Sequence, residues 1–193
     1  IQFPKDAGPH DTFQSEWWYY TGNLSTRQGR KFGYQLTFFR QALACDPVKG
    51  TSKWRTRQLY FAHFAVTDVA ADTFVSEFRM NRQSLGIAGA ESRPFAVWID
   101  DWRAGETHDR LVLTARGEGI RIDLKLIQEK PGVLQGRNGL SQKGKEVSNA
   151  SYYYSLPSLR TEGSIEIGPD THRVTGTSWF DHEWSTSALG SDV

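Results

Sequence analysis

The 193-residue chain holds a single cysteine, Cys45, so no internal disulfide can form and the redox compartment is not revealed. Set in Ala-Leu-Ala-Cys-Asp-Pro, it reads as an incidental loop thiol, because no histidine-paired nucleophile motif surrounds it. No run approaches the roughly 18 to 20 apolar residues of a membrane span, and the residues from Ile1 onward do not read as a signal peptide. Neither sign of charge prevails: 23 basic against 22 acidic side chains give a net charge of +1, without the footprint expected for a nucleic-acid or anionic-membrane partner. The chain also lacks a Gly-x-Ser-x-Gly elbow, a P-loop, Gly-x-Gly-x-x-Gly, His-Glu-x-x-His and Cys-x-x-Cys, which removes common hydrolase, nucleotide and zinc signatures. Helical periodicity is nearly absent, which argues against an α/β nucleotide fold.

Aromatics are abundant, at 13% with seven tryptophans. That content suits either a cavity for a flat or apolar ligand or a tryptophan-rich β core. The densest stretch is Ser15 to Leu24, where Trp17, Trp18, Tyr19 and Tyr20 follow Glu16. Four adjacent rings would crowd a helix, whereas a pleated strand sends them to alternate faces. Glu16, Trp18, Tyr20 and Gly22 then share one side, and Trp17, Tyr19 and Thr21 the other.

Lys31 to Arg40 alternates as well, with Phe32, Tyr34, Leu36 and Phe38 opposing Gly33, Gln35, Thr37 and Phe39, and completes a hairpin with the first strand. After a long loop over Gln41 to Arg57, Gln58 to Asp68 resumes the period of two and places His63 mid-strand among apolar neighbours. Further strands are expected over Thr73 to Met80, Pro94 to Trp102, Arg110 to Ala115, Gly119 to Gln128, Ser151 to Leu156, Thr161 to Ile167 and Arg173 to Trp184. Pro131 to Ala150, rich in Gly, Lys, Gln and Asn, reads as a mobile loop. About ten short strands divided by Gly and Pro turns, in a chain of single-domain length, predict an all-β antiparallel barrel or sandwich.

The polar residues set inside aromatic strands are Glu16, Gln35, His63, Asp68 and the run Trp179-Phe180-Asp181-His182-Glu183-Trp184-Ser185. On a strand, Phe180, His182 and Trp184 share one face and Asp181 and Glu183 the other. An imidazole one pleat from an indole could join a proton donor to a ring that stabilises a cation. Both His182 and His63 also fit buried, hydrogen-bonded histidines. His63, Asp68, Asp181, His182 and Glu183 are competent metal ligands, but their spacing follows no ligand rule, and no metal is expected. A glycosidase-type pair would need Glu16 with Asp181 or Glu183, at a separation that sequence does not supply.

At these residues the chain resembles the hydroxyneurosporene synthase-like, carotenoid 1,2-hydratase-related family of lipocalin-like proteins, including its AttH-like bacterial branch. The resemblance rests on Phe3-Pro4 with Gly8 and His10, on Glu16 to Leu24, on Gly33 to Arg40, on His63-Phe64-Ala65 with Thr67-Asp68, and on Trp179 to Ser185, in family order. It implies a pair of lipocalin-like β-barrels, with residues 1–178 as the first and 179–193 as the start of the connection to a second. It implies a hydrophobic ligand, isoprenoid- or lipid-like, and no cofactor; its hydratases add water to an unactivated isoprenoid double bond. Their His-x-Trp motif matches His182-Glu183-Trp184, which would make His182 the proton-transfer residue and Trp184 a cation-stabilising wall. Their further Tyr-x-Asp motif does not occur in these residues. Asp181 joins the candidate catalytic set. The candidate ligand contacts are Glu16, Trp17, Trp18, Tyr20, Tyr34, Gln35, Phe39, His63 and Trp179. A carrier without turnover is the alternative. The family's frequent export is compatible with the periplasm or secretion, while the residues themselves leave localisation open.

Overall fold

The computed structural model describes residues 1–43, 56–108 and 110–186; Cys45 and most of the loop expected over Gln41 to Arg57 lie outside the described residues. Apart from one 3₁₀ turn at Lys5–Ala7, the regular structure is β. The strands are β1 (Ser15–Ser25), β2 (Lys31–Ala42), β3 (Gln58–Asp68), β4 (Thr73–Arg82), β5 (Ala88–Ser92), β6 (Phe95–Ile99) and β7 (Trp102–Thr107), then β8 (Arg110–Gly117), β9 (Ile120–Gln128), β10 (Val133–Leu134), β11 (Leu140–Gln142), β12 (Ala150–Ile167) and β13 (Asp170–Ser185). Neighbours pair antiparallel in the order β4-β3-β2-β1-β13-β12-β9-β8-β7-β6-β5, with β10 and β11 added on β12. The result is an all-β, nearly closed antiparallel barrel, one of the two architectures that the alternating pattern predicts and the one that the family resemblance implies.

The two end strands of that order, β4 and β5, do not pair, and the seam on the β4 side is tied by side chains. Arg79 reaches Asp101 and donates to the Arg116 carbonyl at 3.0 Å, with its guanidinium 4.4 Å from the Trp102 ring. Asn81 Nδ2 donates to Asp100 at 2.8 Å, and the Glu118 amide to Glu77 at 2.8 Å. Polar and charged groups on an unpaired edge also discourage strand addition by another chain.

Even-numbered residues of β1, β2 and β3 point inward, so Trp18, Tyr20, Leu36, Phe38 and Phe64 meet Trp102, Leu113 and Ile122 from the far wall in one core. Close strand approach is carried by glycine: a Cβ on Gly176 would lie 2.1 Å from the Asn23 carbonyl oxygen.

Several boundaries differ from the sequence reading. Pro94 to Trp102 is not one strand, because Asp100, at φ 54°, takes the left-handed conformation in the short turn between β6 and β7. Ser151 to Ile167 is one strand rather than two, its register shifting between Leu156 and Leu159 around Pro157, which has no amide hydrogen for the ladder. Pro131 to Ala150 holds β10 and β11. The boundary drawn at residue 178 falls inside β13, which stays in register with β1 as far as the Ser15–Ser185 pair. Residues 179–185 are therefore barrel wall.

A buried acid–base cluster beside an apolar cavity

Strand register decides which side chains meet. Glu16 is the first inward residue of β1 and lies opposite Arg40 on β2 and Trp184 on β13, while Trp18 in the next inward row lies opposite His182. Glu16, Arg40 and His182 have no exposed side-chain surface. A charge so placed needs partners, and Glu16 has four. Its Oε2 accepts from Arg40 Nε at 2.8 Å and from the His10 amide at 2.9 Å. Its Oε1 pairs with His10 Nδ1 at 2.7 Å and with His182 Nε2 at 2.8 Å. Arg40 also donates to Gln58 Oε1 at 2.8 Å and to the carbonyls of His10 at 2.8 Å and Phe13 at 3.0 Å. The lead-in segment before β1 is thereby fastened to the barrel interior.

Burial works to raise the Glu16 carboxyl, but hydrogen bonds from His10 and His182 and the charges of His182 and Arg40 outweigh it and hold it at about 2. The imidazole of His182 is pushed below its ordinary value by burial, a tendency only partly offset by Glu16. An ionised Glu16 accepts only, so His182 carries its proton on Nε2. Its Nδ1 is then free to accept from Tyr154 Oη, 3.3 Å away. Rings lock the geometry: His182 stacks on Trp18 with centroids 5.0 Å apart, and His10 stacks on Trp184 at 3.8 Å with planes 6° apart.

His10, Glu16 and His182 present ligand atoms within 4.8 Å of one another. The donor types would suit a divalent metal. However, Glu16 already has a donor at each acceptor position, and Arg40 supplies the positive charge at 2.8 Å. The arrangement fits a hydrogen-bonded ion cluster better than a metal centre.

Beside the cluster lies a cavity of about 260 Å³. Its apolar and aromatic walls come from Tyr20, Phe95, Leu111, Leu126, Tyr154, Leu156, Leu159 and Phe180; Ala7, Glu106, His108, Arg110 and Gln128 complete the lining. Tyr154 belongs to both places, being a wall of the cavity and the hydroxyl beside His182. Tyr20 stacks on Phe180 at 4.6 Å, and its hydroxyl is buried without a hydrogen-bond partner among the described residues.

The residues singled out in the sequence separate into three groups. Glu16, His182, Trp184 and Trp18 form or flank the cluster, and Tyr20 lines the cavity. Trp184 does not line that cavity, since its ring is covered by His10 and Tyr152. Tyr34 points inward but donates to Ser178 Oγ at 2.7 Å, away from the cavity. By contrast, Trp17, Gln35, Phe39, His63, Trp179 and Asp181 do not point inward. They alternate with the inward residues and lie on the outer face, where Phe39 stacks on Phe61 at 4.7 Å and on the edge of His63.

Asp181 accepts from Ser155, and Glu183 from Ser151 and Lys143, so neither carboxylate shares a space with Glu16 as a glycosidase pair requires. Asp68, at the far end of β3, binds Arg30 and the amides of Ala70 and Ala71. The five candidate metal ligands are thus dispersed. Sequence reasoning did not single out Arg40 or Tyr154, both legible as polar groups on inward-alternating strands. Nor did it assign a role to His10, whose lead-in segment has no pattern.

The AttH-like family model matches residues 1–193. The crystal structure of a Nitrosomonas europaea protein assigned as AttH (NE1406) superposes with a TM-score of 0.87 and 36% identity, covering 100% of this chain and 58% of that one. Kievitone hydratase from Nectria haematococca shares the fold at a TM-score of 0.71 and 13% identity, over 98% of this chain and 52% of that one. The chain therefore spans between half and three fifths of the length of these solved relatives. Among curated protein sequences none matches. Matched by the family model along its whole length, the chain belongs to the AttH-like family.

Proposed function

We propose that the barrel binds an apolar small molecule in its interior cavity. One observation carries this reading: about 260 Å³ stands open between aromatic and aliphatic side chains of the barrel. At about 30 Å³ per water-sized group, that space takes roughly nine non-hydrogen atoms. It suits the end of an isoprenoid- or lipid-like chain, or a compact ring, but not a long chain in full. The second lipocalin-like domain that the resemblance implies belongs to this proposal as a neighbour of the barrel. Native mass spectrometry of the purified protein, followed by titration with an isoprenoid alcohol, tests the reading. A bound apolar species, or saturable quenching of tryptophan fluorescence, is expected; no binding of either kind would overturn it.

Cofactor-free hydration of a C=C bond is a second reading, favoured by the position of Tyr154 between cavity and cluster. In it, the imidazolium of His182 returns its Nδ1 proton through Tyr154 Oη to an alkene carbon. Water adds to the resulting cation, facing Phe180 and Tyr20, and gives a proton back along the same line. Alkene and water become alcohol, with charge conserved. Trp184 then holds His10 in the cluster, and Asp181 stays outside the reaction. Because burial lowers the His182 pKa, its acid form is the minor one at neutral pH, and turnover should rise as the pH falls. Incubation with a terminal alkene in deuterated water checks this. Tyr154→Phe should abolish label incorporation and leave binding intact, and His182→Ala should abolish turnover while binding survives. Binding without any incorporation by the unaltered protein would leave a carrier.

A further inference from the structure

Tyr20 is fully buried, it lines the cavity, and its hydroxyl has no hydrogen-bond partner among the described residues. A buried hydroxyl left unpaired is destabilising, and such groups in a folded chain call for an explanation. Stacking on Phe180, with planes 24° apart, fixes the ring, so the hydroxyl cannot turn away to find another acceptor. The second phenol of the cavity, Tyr154, already has His182 Nδ1 as its acceptor. The cavity wall therefore holds one phenolic donor without an acceptor among the described residues. Tyr60 also has an unpaired buried hydroxyl but is not among the walls of this cavity.

Charge in the walls narrows the ligand further. The one guanidinium there, Arg110, pairs with Glu162 at 3.6 Å, and Glu106 adds negative charge. Besides His108 and the already paired Arg110, a carboxylate pushed in head first would meet the Glu106 carboxylate and two phenols kept protonated by burial.

Building on the cavity reading above, we infer that Tyr20 Oη donates to a single neutral oxygen, a carbonyl or ether, at the buried end of an otherwise apolar ligand. The ligand class is thus a mono-oxygenated apolar molecule, rather than a pure hydrocarbon or a fatty acid entering by its head.

A near-isosteric pair tests this directly: octan-2-one and 2-methyloct-1-ene differ by an oxygen in place of a CH₂ group. Both are titrated against the full chain and against Tyr20→Phe, with octanoate as a third probe. One neutral hydrogen bond changes an equilibrium about two- to tenfold. The ratio of ketone to alkene dissociation constants should rise by that factor in Tyr20→Phe, while alkene binding stays the same or tightens. Tyr34→Phe, which removes a structural hydroxyl bound to Ser178, should lower stability and leave the ratio where it was. Folding is not at risk in Tyr20→Phe, since the variant discards an unpaired group. An unchanged ratio in Tyr20→Phe, or octanoate binding more tightly than the ketone, would overturn the assignment. If the unaltered protein bound neither ketone nor alkene, the cavity reading itself would fall, an outcome distinct from an unchanged ratio.

Discussion

Glu16→Gln tests whether the buried cluster is an ion cluster that holds the fold together. Despite burial, its hydrogen bonds and neighbouring charges hold the Glu16 carboxyl at about 2 in the folded protein, against an ordinary value of 4.5. At about 1.4 kcal/mol per pH unit, that difference contributes roughly 3 kcal/mol to folding at neutral pH. Because folding lowers this pKa, the contribution is complete above about 4.5 and is lost as the pH falls through about 2. Linkage arithmetic removes about 2 kcal/mol of it by pH 3. His182 acts in the same direction and earlier: its pKa is also lowered, so the unfolded chain takes up the proton first and stability begins to fall below about 6.5. In Glu16→Gln one amide oxygen replaces an anion with four donors, and the amide nitrogen faces Arg40 or the His10 amide. Breaking a buried pair from one side costs about 3 to 5 kcal/mol. Urea unfolding followed by tryptophan fluorescence at pH 7, 5, 4 and 3 gives the stability gap between the two proteins. The gap should be about 3 to 5 kcal/mol at pH 7 and about 2 kcal/mol smaller at pH 3. A gap that stays constant from pH 5 to pH 3 would refute the argument, because it would assign the loss to packing rather than to charge.

Three further outcomes follow from the geometry. Leu126→Phe puts a larger ring into the cavity wall and should weaken binding of an isoprenoid alcohol at least about tenfold, by fluorescence titration, while circular dichroism keeps the β spectrum. Gly176→Ala places a Cβ against the Asn23 carbonyl and Leu24 Cα of β1 and should cost about 2 to 3 kcal/mol, seen by calorimetry as a Tm lower by roughly 5 to 10 °C. His63→Ala, on the exposed outer face, should change stability by about 0.5 kcal/mol or less and leave apolar-ligand affinity as it was, both read in the same titrations.

The first three strands were readable because each is long, aromatic and strictly alternating, so one period governs ten or more residues. β5 was not, since Ala88-Gly89-Ala90 offers neither β-branched nor aromatic residues, and its place is set by pairing with β6. β7 was hidden by Trp102, which the pattern joined to the strand before it although a two-residue turn intervenes. The pairing of β1 with β13 joins residues 150 to 170 positions apart, and local pattern carries no information on that choice.

Alternation tells which residues share a face but not which face is inside, and where both faces carry rings the sign is lost. That is why the ligand contacts expected from the sequence came from both sides of the wall. On β3, Tyr60 and Phe64 are as apolar as Phe61, and His63 shares the face of Phe61. Charge can restore the sign. The β1–β2 hairpin pairs Ser25 with Lys31, and counting back along both strands sets Glu16 opposite Arg40. Opposite charges facing each other beside Trp18 and Phe38 are either a surface pair or a buried one. The aromatic content of the even face makes burial the better reading, since exposed tryptophan is the rarer state. Once that face is inward, His182, aligned with Trp18, and Gln58, at the start of β3, must also find partners inside an apolar barrel, and the nearest ones are each other's. Polar residues on an inward strand face are thus better read as members of one network than one at a time, because none can be buried singly without losing its hydrogen bonds.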